Sequence, residues 1–449
     1  ATVNLTGTNA VKKVDGKAKA LTLKNGGDLK VGEDTGLVTT NGADVEVTAG
    51  DLTVGAHGMT NGAGAMKLKA SGTLKLDANA EVKSTGAAAT SLEATTVNFD
   101  TASKVSTAGG AIDVKTDALT LPSGAQGTLS SANGKVTVET KTAGKTMSVG
   151  SSSADVHMND LDFINSGTGE VHLGNASTGD VEIGNADVKA PLTVESAATL
   201  KFSGTLSNTG NKNTTFQANA VDFAAGANLA AGAGTMTMTA NSVTNWNDAA
   251  FADTNDAGTF VLKPKTAGNF TVGGTAGLVT DAGFGKLKAG NFYNVAIGTK
   301  DNVGTATIAG IGISAQGKGL FTLDRDGAPL GNGILSSDQR ALPVVKRWQA
   351  EGIPARLYPE TRQTLWTGHP VSILRALKEQ APARYQRIGS ILMSHDYLRY
   401  RLTGAIACEE TNISESNLYH FGEGRYQPAL ADTLGIAEIV PTLPPIVGA

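Results

Sequence analysis

Short alternations of apolar and polar residues recur along residues 1–303. Leu29-Lys30-Val31, Leu52-Thr53-Val54 and Val181-Glu182-Ile183 are typical, with two apolar side chains flanking a polar one. Because successive side chains of a strand point to opposite faces, each triplet predicts one short strand with two residues inside and one outside. Turn-forming segments such as Asn25-Gly26-Gly27 and Asn133-Gly134 separate the triplets.

Strands this short cannot bury enough apolar surface one by one, but stacked strands can share a continuous narrow core. The pattern therefore predicts a mainly β fold, a parallel β-helix-like solenoid with about a dozen turns of roughly 20–25 residues. Disorder, which the low complexity of the region would allow, does not account for the two-residue alternation. A β-sandwich array of the immunoglobulin type would have longer, more aromatic strands and a period near ~100 residues.

From residue 304 the pattern changes to that of a mixed α/β segment. Helical spacing predicts helices over residues 339–350, 371–380 and 394–403, and Asp338 is a candidate capping residue for the first. Residues 308–314 and 320–324 read as two strands, and the second is followed by a hairpin turn over residues 324–327. The sequence thus predicts two regions, 1–303 and 304–449.

Composition supports the same division. The first arginine of the chain is Arg325, and only three of the 13 prolines precede Pro329. A net charge of -4 gives no reason to expect nucleic acid or an anionic membrane as a partner. The single cysteine, Cys408, excludes an intrachain disulfide and a cysteine-cluster zinc site. No apolar run is long enough to predict a transmembrane helix.

Few residues of the first region suggest chemistry. His157, His172 and Glu182 occupy the central positions of similar triplets, so they could form a metal-binding ladder on adjacent turns. The alternative is an outward, solvated row of side chains, and we predict no metal site.

Segments such as residues 20–31 resemble the passenger regions of bacterial filamentous-haemagglutinin-type and autotransporter adhesins. The resemblance implies a secreted, right-handed parallel β-helix that attaches a cell surface to a receptor. It does not identify that receptor.

The second region contains five sequence blocks that occur together in one family. Two of them are Leu365-Trp366-Thr367-Gly368-His369-Pro370 and Ser394-His395-Asp396-Tyr397-Leu398; the others cover residues 311–319, 333–340 and 409–419. In order and spacing these blocks resemble the amino-terminal domain of the FGGY carbohydrate kinases, in particular the L-xylulokinase branch. The resemblance implies an actin-like, ribonuclease-H-like α/β fold, present here as a truncated kinase fragment.

The same resemblance implies a set of substrate-binding residues for a sugar. They lie in three segments and are Gln316, Lys318, Asp338, Arg340, Trp366 and Asn412. Structural roles compete with this interpretation. Asp338 can cap a helix and Arg340 can pair with it, while Trp366 and Asn412 are as easily structural as substrate contacts. We predict no catalytic residue in the chain.

Members of this family phosphorylate a ketopentose or a similar sugar with ATP and Mg²⁺. Their phosphate loop is expected before residue 308, and their catalytic aspartate and adenosine lobe after residue 449. We therefore expect part of a sugar cleft without bound ATP or magnesium, inactive by itself.

The two resemblances imply different compartments, the cell surface for the solenoid and the cytoplasm for the kinase. This conflict favours an artefactual join of the two regions. Two interpretations remain open: a chimeric chain that joins an adhesin-like solenoid to a kinase fragment, or a carbohydrate kinase whose amino-terminal region is foreign through assembly or gene-calling artefact.

Overall fold

The computed structural model describes residues 2–40, 42–151, 154–251, 257–267, 269–275, 277–290, 292, 294–298, 306–308, 315 and 317–447. The chain divides into two compact units, Ala1–Gly310 and Ile311–Ala449. Within the described residues, no helix combines the length and the apolar character needed to cross a membrane.

The first unit is a β-solenoid, as the alternation predicts. Successive passes of the chain add parallel strands to the same sheets. The largest sheet has 13 strands, and in stacking order they are Thr2–Asn9, Ala20–Asn25, Val45–Ala49, Met66–Ala70, Thr90–Glu93, Ile112–Thr116, Val136–Thr140, Val171–Gly174, Leu192–Glu195, Thr214–Gln217, Thr235–Thr239, Thr259–Lys263 and Asn294–Ile297.

The other sheets of the solenoid are shorter. A six-stranded sheet contains Lys13–Val14, Leu29–Val31, Leu52–Val54, Thr73–Leu76, Thr96–Phe99 and Ala118–Thr120. A seven-stranded sheet contains Gly16–Ala18, Leu37–Thr39, Met59–Asn61, Glu81–Ser84, Lys104–Thr107, Leu129–Ser131 and Ile164–Asn165. A second six-stranded sheet contains Val156–Met158, Met147–Val149, Val181–Ile183, Thr199–Phe202, Ala220–Phe223 and Ser242–Thr244. A four-stranded sheet contains Ala186–Asp187, Thr205–Ser207, Asn228–Leu229 and Ala250–Phe251.

The register of the 13-stranded sheet gives the length of each turn. From Leu21, which pairs with Val45, to Phe260, register partners are 21 to 24 residues apart, with one exception. Val136 pairs with Val171, 35 residues on, and the same interval separates Phe260 from Val295. In the first of these long turns Val156–Met158 pairs with Met147–Val149 as an additional strand.

The solenoid core is built as the triplets predict. Leu52 and Val54 are fully buried on either side of the partly exposed Thr53, and Val181-Glu182-Ile183 repeats the pattern. Toward the carboxyl end of the solenoid the core becomes aromatic, and the Phe202 ring lies 5.1 Å from that of Phe216. Edge-to-face contacts of this kind add to the stabilisation that burial provides.

Buried amides fasten the corners between strands. Asn61 is fully buried, and its Nδ2 donates to the carbonyl oxygens of Gly64 and Ala65 at 2.7 and 3.3 Å. Its Oδ1 accepts from the Thr39 hydroxyl of the preceding turn at 2.5 Å. One side chain thus pairs with the Gly64 carbonyl of the corner and adds a second bond to the Ala65 carbonyl, which also accepts from the Val45 backbone N–H at 2.8 Å.

The first unit also contains a few elements outside this pattern. They are the 3₁₀ turn Trp246–Asp248, the helix Asp281–Ala289 and the parallel strand pair Phe270–Val272 and Ala306–Ile308. Of the strand expected over residues 308–314, only Ile308 is described, at the end of strand Ala306–Ile308; residues 309–314 lie outside the described residues, so the prediction is not tested.

The second unit is helical with small sheets. Its α-helices are Leu342–Ala350, Ile353–Thr361, Pro370–Gln380, Pro382–Tyr385, Ser394–Thr403, Glu410–Ile413 and Pro428–Thr433, and its 3₁₀ turns are Ser414–Ser416 and Ala437–Thr442. Its strands pair as Phe321–Leu323 with Ser390–Leu392, Cys408–Glu409 with Ile446–Val447 and Tyr419–His420 with Arg425–Tyr426. Three amphipathic helices bury Trp348, Leu357 and Leu374 in one core.

The helix predicted over residues 339–350 begins later, at Leu342, and Asp338 does not cap it. The Asp338 carboxylate instead accepts from the Arg340 backbone N–H at 2.8 Å, which closes a turn ahead of the helix. A proline in the first turn, Pro343, suits a start at this point because its missing N–H needs no partner there. Pro370–Gln380 and Ser394–Thr403 agree with the helices predicted from the sequence, and the hairpin turn closes with Asp324 N–H donating to Ala328 O.

Candidate functional site

Lys318 lies on a loop of the second unit that packs against the start of helix Pro370–Gln380. Its backbone is left-handed, with φ 63°, and the next residue, Gly319, donates its N–H to Gly368 O at 3.1 Å. The Lys318 ammonium contacts Glu415 Oε2 at 3.1 Å. Gln316, the other predicted residue of this loop, lies outside the described residues.

Asp338 and Arg340 form a bidentate ion pair. The Arg340 Nε lies 2.8 Å from Asp338 Oδ1, and Nη2 lies 2.9 Å from Oδ2. The Arg340 side chain lowers the pKa of Asp338. Asp338 and Arg340 therefore pair with each other, as the structural interpretation expects. The ion pair is partly exposed and holds its two charges in a fixed arrangement on the loop that begins at Ser336.

Trp366 is exposed, with 53% of its surface accessible, although it is fastened to the same loop. Its Nε1 donates to Ser336 O at 3.1 Å. Gly368 makes this approach possible, because a Cβ there would fall 2.0 Å from Ser336 O. An indole held at its edge and open on its face is suited to stacking against the apolar face of a sugar ring.

Asn412 has a different environment from the other predicted residues. It is 6% exposed, and its Nδ2 donates to Asp396 Oδ2 at 2.8 Å. The other oxygen of Asp396 accepts from the Glu409 backbone N–H at 2.9 Å. The Asn412 amide is therefore committed to a buried structural network, while its substrate contact stays a prediction.

Hydrogen bonds thus link the loops that carry Lys318, Trp366 and the Asp338–Arg340 pair. Glu415 joins them from the far end of the unit, 97 residues after Lys318 in sequence. Sequence reasoning missed Glu415, because nothing in Ser414-Glu415-Ser416 distinguishes it from a solvated acidic residue. Only the fold brings it to the lysine.

Beneath these loops lies a buried pair that sequence reasoning also missed as a site. His369 Nδ1 lies 2.8 Å from the Asn417 amide nitrogen, and the two residues are 2% and 0% exposed. Burial, followed by the charge of Lys318, lowers the pKa of His369 to about 4, so its imidazole is neutral at physiological pH. From the sequence, His369 has no role beyond its place before Pro370 in one of the family blocks.

Several buried polar atoms around this pair have no hydrogen-bond partner among the described residues. They are Thr367 Oγ1, His369 Nε2, Ser372 Oγ and Asn417 Oδ1. Each unpaired buried polar group costs about 1–3 kcal/mol, so their occurrence together marks a place that is not optimised for stability alone.

The histidines of the solenoid do not form the ladder considered from the sequence. His157 lies on Val156–Met158 and His172 on Val171–Gly174, which belong to different sheets. His157 instead contacts Ser148 Oγ and Asn159 Oδ1, each at 3.0 Å. The part of the chain that the structure describes contains no cluster of His, Cys, Asp or Glu suited to a metal ion.

Comparison with known proteins shows that the carboxy-terminal part is similar to a known family. Residues 293–449 match the model for the FGGY family of carbohydrate kinases, N-terminal domain. A probable L-xylulose kinase of Pasteurella multocida is 67% identical over 150 residues, 33% of this chain and 31% of that protein. The L-xylulose/3-keto-L-gulonate kinase of Escherichia coli is 63% identical over 153 residues, 34% and 31% of the two chains.

Among solved structures, the gluconate kinase of Lactobacillus acidophilus matches with 25% identity over 31% of this chain and 28% of that chain, with a TM-score of 0.29. The chain spans about a third of the length of the curated relatives it matches. The FGGY-type part is accompanied by the β-solenoid of the amino-terminal region, as the two sequence patterns predict. The boundary at residues 303 and 304 stays a prediction.

Proposed function

We propose that the second unit binds a ketopentose such as L-xylulose in a cleft formed by the loops of Lys318, Ser336–Arg340 and Trp366. The observation that carries the proposal is the exposed Trp366 ring, bonded to the loop of the Asp338–Arg340 pair, on a segment that a further hydrogen bond joins to the loop of Lys318. Carbohydrate sites combine an aromatic surface with converging donors and acceptors in this way. The names of the Pasteurella and Escherichia relatives supply the choice of sugar.

The activity proposed for this chain is sugar binding without phosphoryl transfer. Phosphorylation requires a base or positioning group for the attacking hydroxyl. Among the described residues of the cleft, Glu415 and Asp338 are engaged with Lys318 and Arg340, and the His369 imidazole is 98% enclosed. The predicted absence of bound ATP and magnesium is part of this proposal, and saturable binding of ATP in a titration of the full chain would contradict it.

Tryptophan quenching tests sugar binding on the full chain. Trp246 and Trp348 are each 3% exposed, so acrylamide quenches mainly Trp366. We expect L-xylulose to protect Trp366 in a saturable manner and Lys318→Ala to weaken the protection about tenfold, the loss expected for a hydrogen bond to a charged group. Lys346→Ala is the matched control, an exposed lysine on helix Leu342–Ala350. If L-xylulose leaves the quenching of Trp366 unchanged, the proposal is refuted.

For the solenoid we propose attachment to an external surface, in line with its resemblance to adhesin passengers. The favouring observation is a row of alternating charge on the 13-stranded sheet: Lys69 contacts Glu93 at 2.9 Å and Lys115 contacts Glu139 at 3.2 Å. Such rows repeat at the strand spacing of ~4.8 Å and present a regular polar surface over a dry core. We expect the full chain to bind immobilised matrix glycoproteins in a saturable manner. Recovery of the protein only from the cytoplasmic fraction of cells would contradict a surface role.

The origin of the join is a separate proposal. We infer that the two regions were brought together from different genes, because the roles proposed for them belong to different compartments. Long-read DNA sequencing across the codons for residues 295–310 tests the origin of the join. One uninterrupted read would mean that the chimera is natural, and two separate loci would mean that the join is an artefact.

A further inference from the structure

The second unit contains a cavity of about 780 Å³ that shares no lining residue with the sugar cleft described above. Its walls come from helix Pro370–Gln380, helix Pro382–Tyr385, the 3₁₀ turn Ala437–Thr442 and the hairpin turn that contains Arg325. This volume lies within the range of ~300–1,000 Å³ that is typical of small-molecule sites.

Fixed contacts hold the walls of the cavity in place. Lys378 Nζ donates to Gly435 O at 2.8 Å and contacts Glu438 Oε1 at 2.5 Å, which ties the long helix to the 3₁₀ turn. On the opposite wall, Gly389 lets the hairpin turn approach, because a Cβ there would fall 2.5 Å from the backbone nitrogen of Arg325. The cavity is therefore a built feature of the packing and does not depend on a loose side chain.

Tyr385 contributes an enclosed ring to walls that are largely apolar. The residue is 6% exposed and lies beside the apolar side chains of Ile388 and Ile439. Burial raises the pKa of Tyr385, and its interaction with the nearby Glu438 carboxylate raises it further, so the phenol is neutral. Its hydroxyl oxygen is enclosed by the protein and is not open to the cavity. Tyr385 therefore offers a ligand its ring and not its hydroxyl.

The charges around the cavity favour an anion. Lys378 and Glu438 compensate each other as an ion pair. Arg325 is exposed and has no ion pair among the residues that the structure describes. The lining therefore carries one uncompensated positive charge, and a guanidinium presents a fork of donors that matches the oxygens of a carboxylate or phosphate.

We propose that this cavity binds a small organic anion, an apolar or aromatic body that carries one carboxylate or phosphate group. The anionic group pairs with the Arg325 guanidinium, and the body lies against Ile388, Ile439 and the ring of Tyr385. The site is independent of the sugar cleft, so its failure or success leaves the proposed sugar binding untouched.

Calorimetric titrations of the full chain with benzoate, phenyl phosphate and neutral benzyl alcohol test the site. We expect saturable binding of at least one anion, and benzyl alcohol to bind about tenfold more weakly because a charge-assisted hydrogen bond is lost. The stronger of the two anions identifies the preferred group. Failure of both anions to saturate the protein overturns the proposal.

Two variants sharpen the test. Arg325→Gln should weaken anion binding about tenfold without changing the affinity for benzyl alcohol, while Arg387→Gln, an exposed arginine outside the lining, should change neither. Tyr385→Phe keeps the ring and removes only an enclosed hydroxyl, so it should leave the affinity for the anion unchanged. Unchanged anion binding in Arg325→Gln, or an equal loss in Arg387→Gln, would contradict the assignment.

Discussion

Two buried polar groups, one in each unit, are paired very differently. In the solenoid, Asn61 uses its buried amide to bind the carbonyl oxygens of a corner and the Thr39 hydroxyl of the preceding turn. In the kinase-type unit, Ser372 and the Nε2 of His369 are equally enclosed without a partner among the described residues. Unpaired buried polar atoms occur in both units, so the comparison teaches that their meaning depends on their surroundings: those at His369 and Ser372 are grouped beneath the loops of the candidate site.

The largest expected effect concerns how far a core defect spreads. Phe202→Ala removes a fully buried ring in contact with Phe216 and Phe223 and should cost about 3–5 kcal/mol. Because each solenoid turn contacts mainly its neighbours, hydrogen exchange should accelerate around strands Val181–Ile183 and Ala220–Phe223 but not around Val45–Ala49.

The matched change in the other unit is Leu374→Ala, a fully buried leucine of helix Pro370–Gln380, which should cost about 2–5 kcal/mol. Here exchange should accelerate in every helix that shares the core. If exchange accelerates over an equally wide region in both variants, the distinction between the units is lost. Lys201→Ala, on the outer face beside Phe202, is the control and should leave exchange unchanged.

A second difference lies in the response to acid. The pKa of His369 is lowered from 6.5 to about 4, so the unfolded chain binds the proton more readily than the folded one. The stabilisation by the neutral imidazole is present above pH 6.5 and is lost as the pH falls toward 4, by roughly 3 kcal/mol in total. Urea unfolding followed by Trp348 fluorescence, with Trp246→Phe and Trp366→Phe as background, measures this loss for the kinase-type unit.

His369→Gln should flatten that profile, and His420→Gln should leave it in place. In the solenoid, burial also lowers the pKa of His172, but this side chain is less enclosed than that of His369. Asp155 of the solenoid has a pKa lowered to about 2 by the Thr146 backbone and by Lys145, so its stabilisation is lost only below about pH 3.8. Unfolding of the solenoid before the kinase-type unit between pH 6.5 and 4 would contradict this order.

The third effect is the loss of a corner clamp. Asn61→Ala leaves the Gly64 carbonyl and the Thr39 hydroxyl without their partner and should cost about 2–3 kcal/mol in urea unfolding. Thr60→Ala, on the same strand but partly exposed, should stay within about 0.5 kcal/mol of the unchanged protein. Equal costs for the two variants would show that the amide does not act as a clamp.

The smallest effect has the opposite sign. Ser372→Ala removes a fully buried hydroxyl without a partner from a helix and should stabilise the kinase-type unit by about 0.5–1 kcal/mol, which a rise in Tm would show. A fall in Tm would mean that the hydroxyl has a partner in solution. Ser394→Ala, at the first position of helix Ser394–Thr403, serves as the comparison.

The sequence predicts features that depend on local patterns. Leu29-Lys30-Val31 became a strand because alternation alone decides which side chains face the core, and helix Ser394–Thr403 has its predicted bounds because Gly404 ends it in a left-handed conformation. The start of helix Leu342–Ala350 was not predicted, because a side chain such as Asp338 can close a turn as easily as cap a helix.

The candidate site was predicted only as far as family motifs reach. Lys318, Asp338, Arg340 and Trp366 lie on loops that hydrogen bonds join. Glu415 and Asn417 belong to the family block 409–419, but the block does not show that they contact Lys318 and His369. Asn412 shows the limit of motif transfer, since its amide faces a buried carboxylate that the motif does not reveal. Contacts between distant segments are set by packing of the whole unit.

The long solenoid turns have a consequence for protein engineering. Between Val136 and Val171 the chain inserts additional residues and a further strand, and the 13-stranded sheet continues in register on both sides. Stacking therefore fixes the position at which the chain re-enters the 13-stranded sheet, but it does not fix the number of residues between two successive strands of that sheet. Foreign peptides inserted into this long turn after Met158 should be displayed on the surface without disturbing the pairing of the sheet. The turn is therefore a suitable insertion site for grafted epitopes.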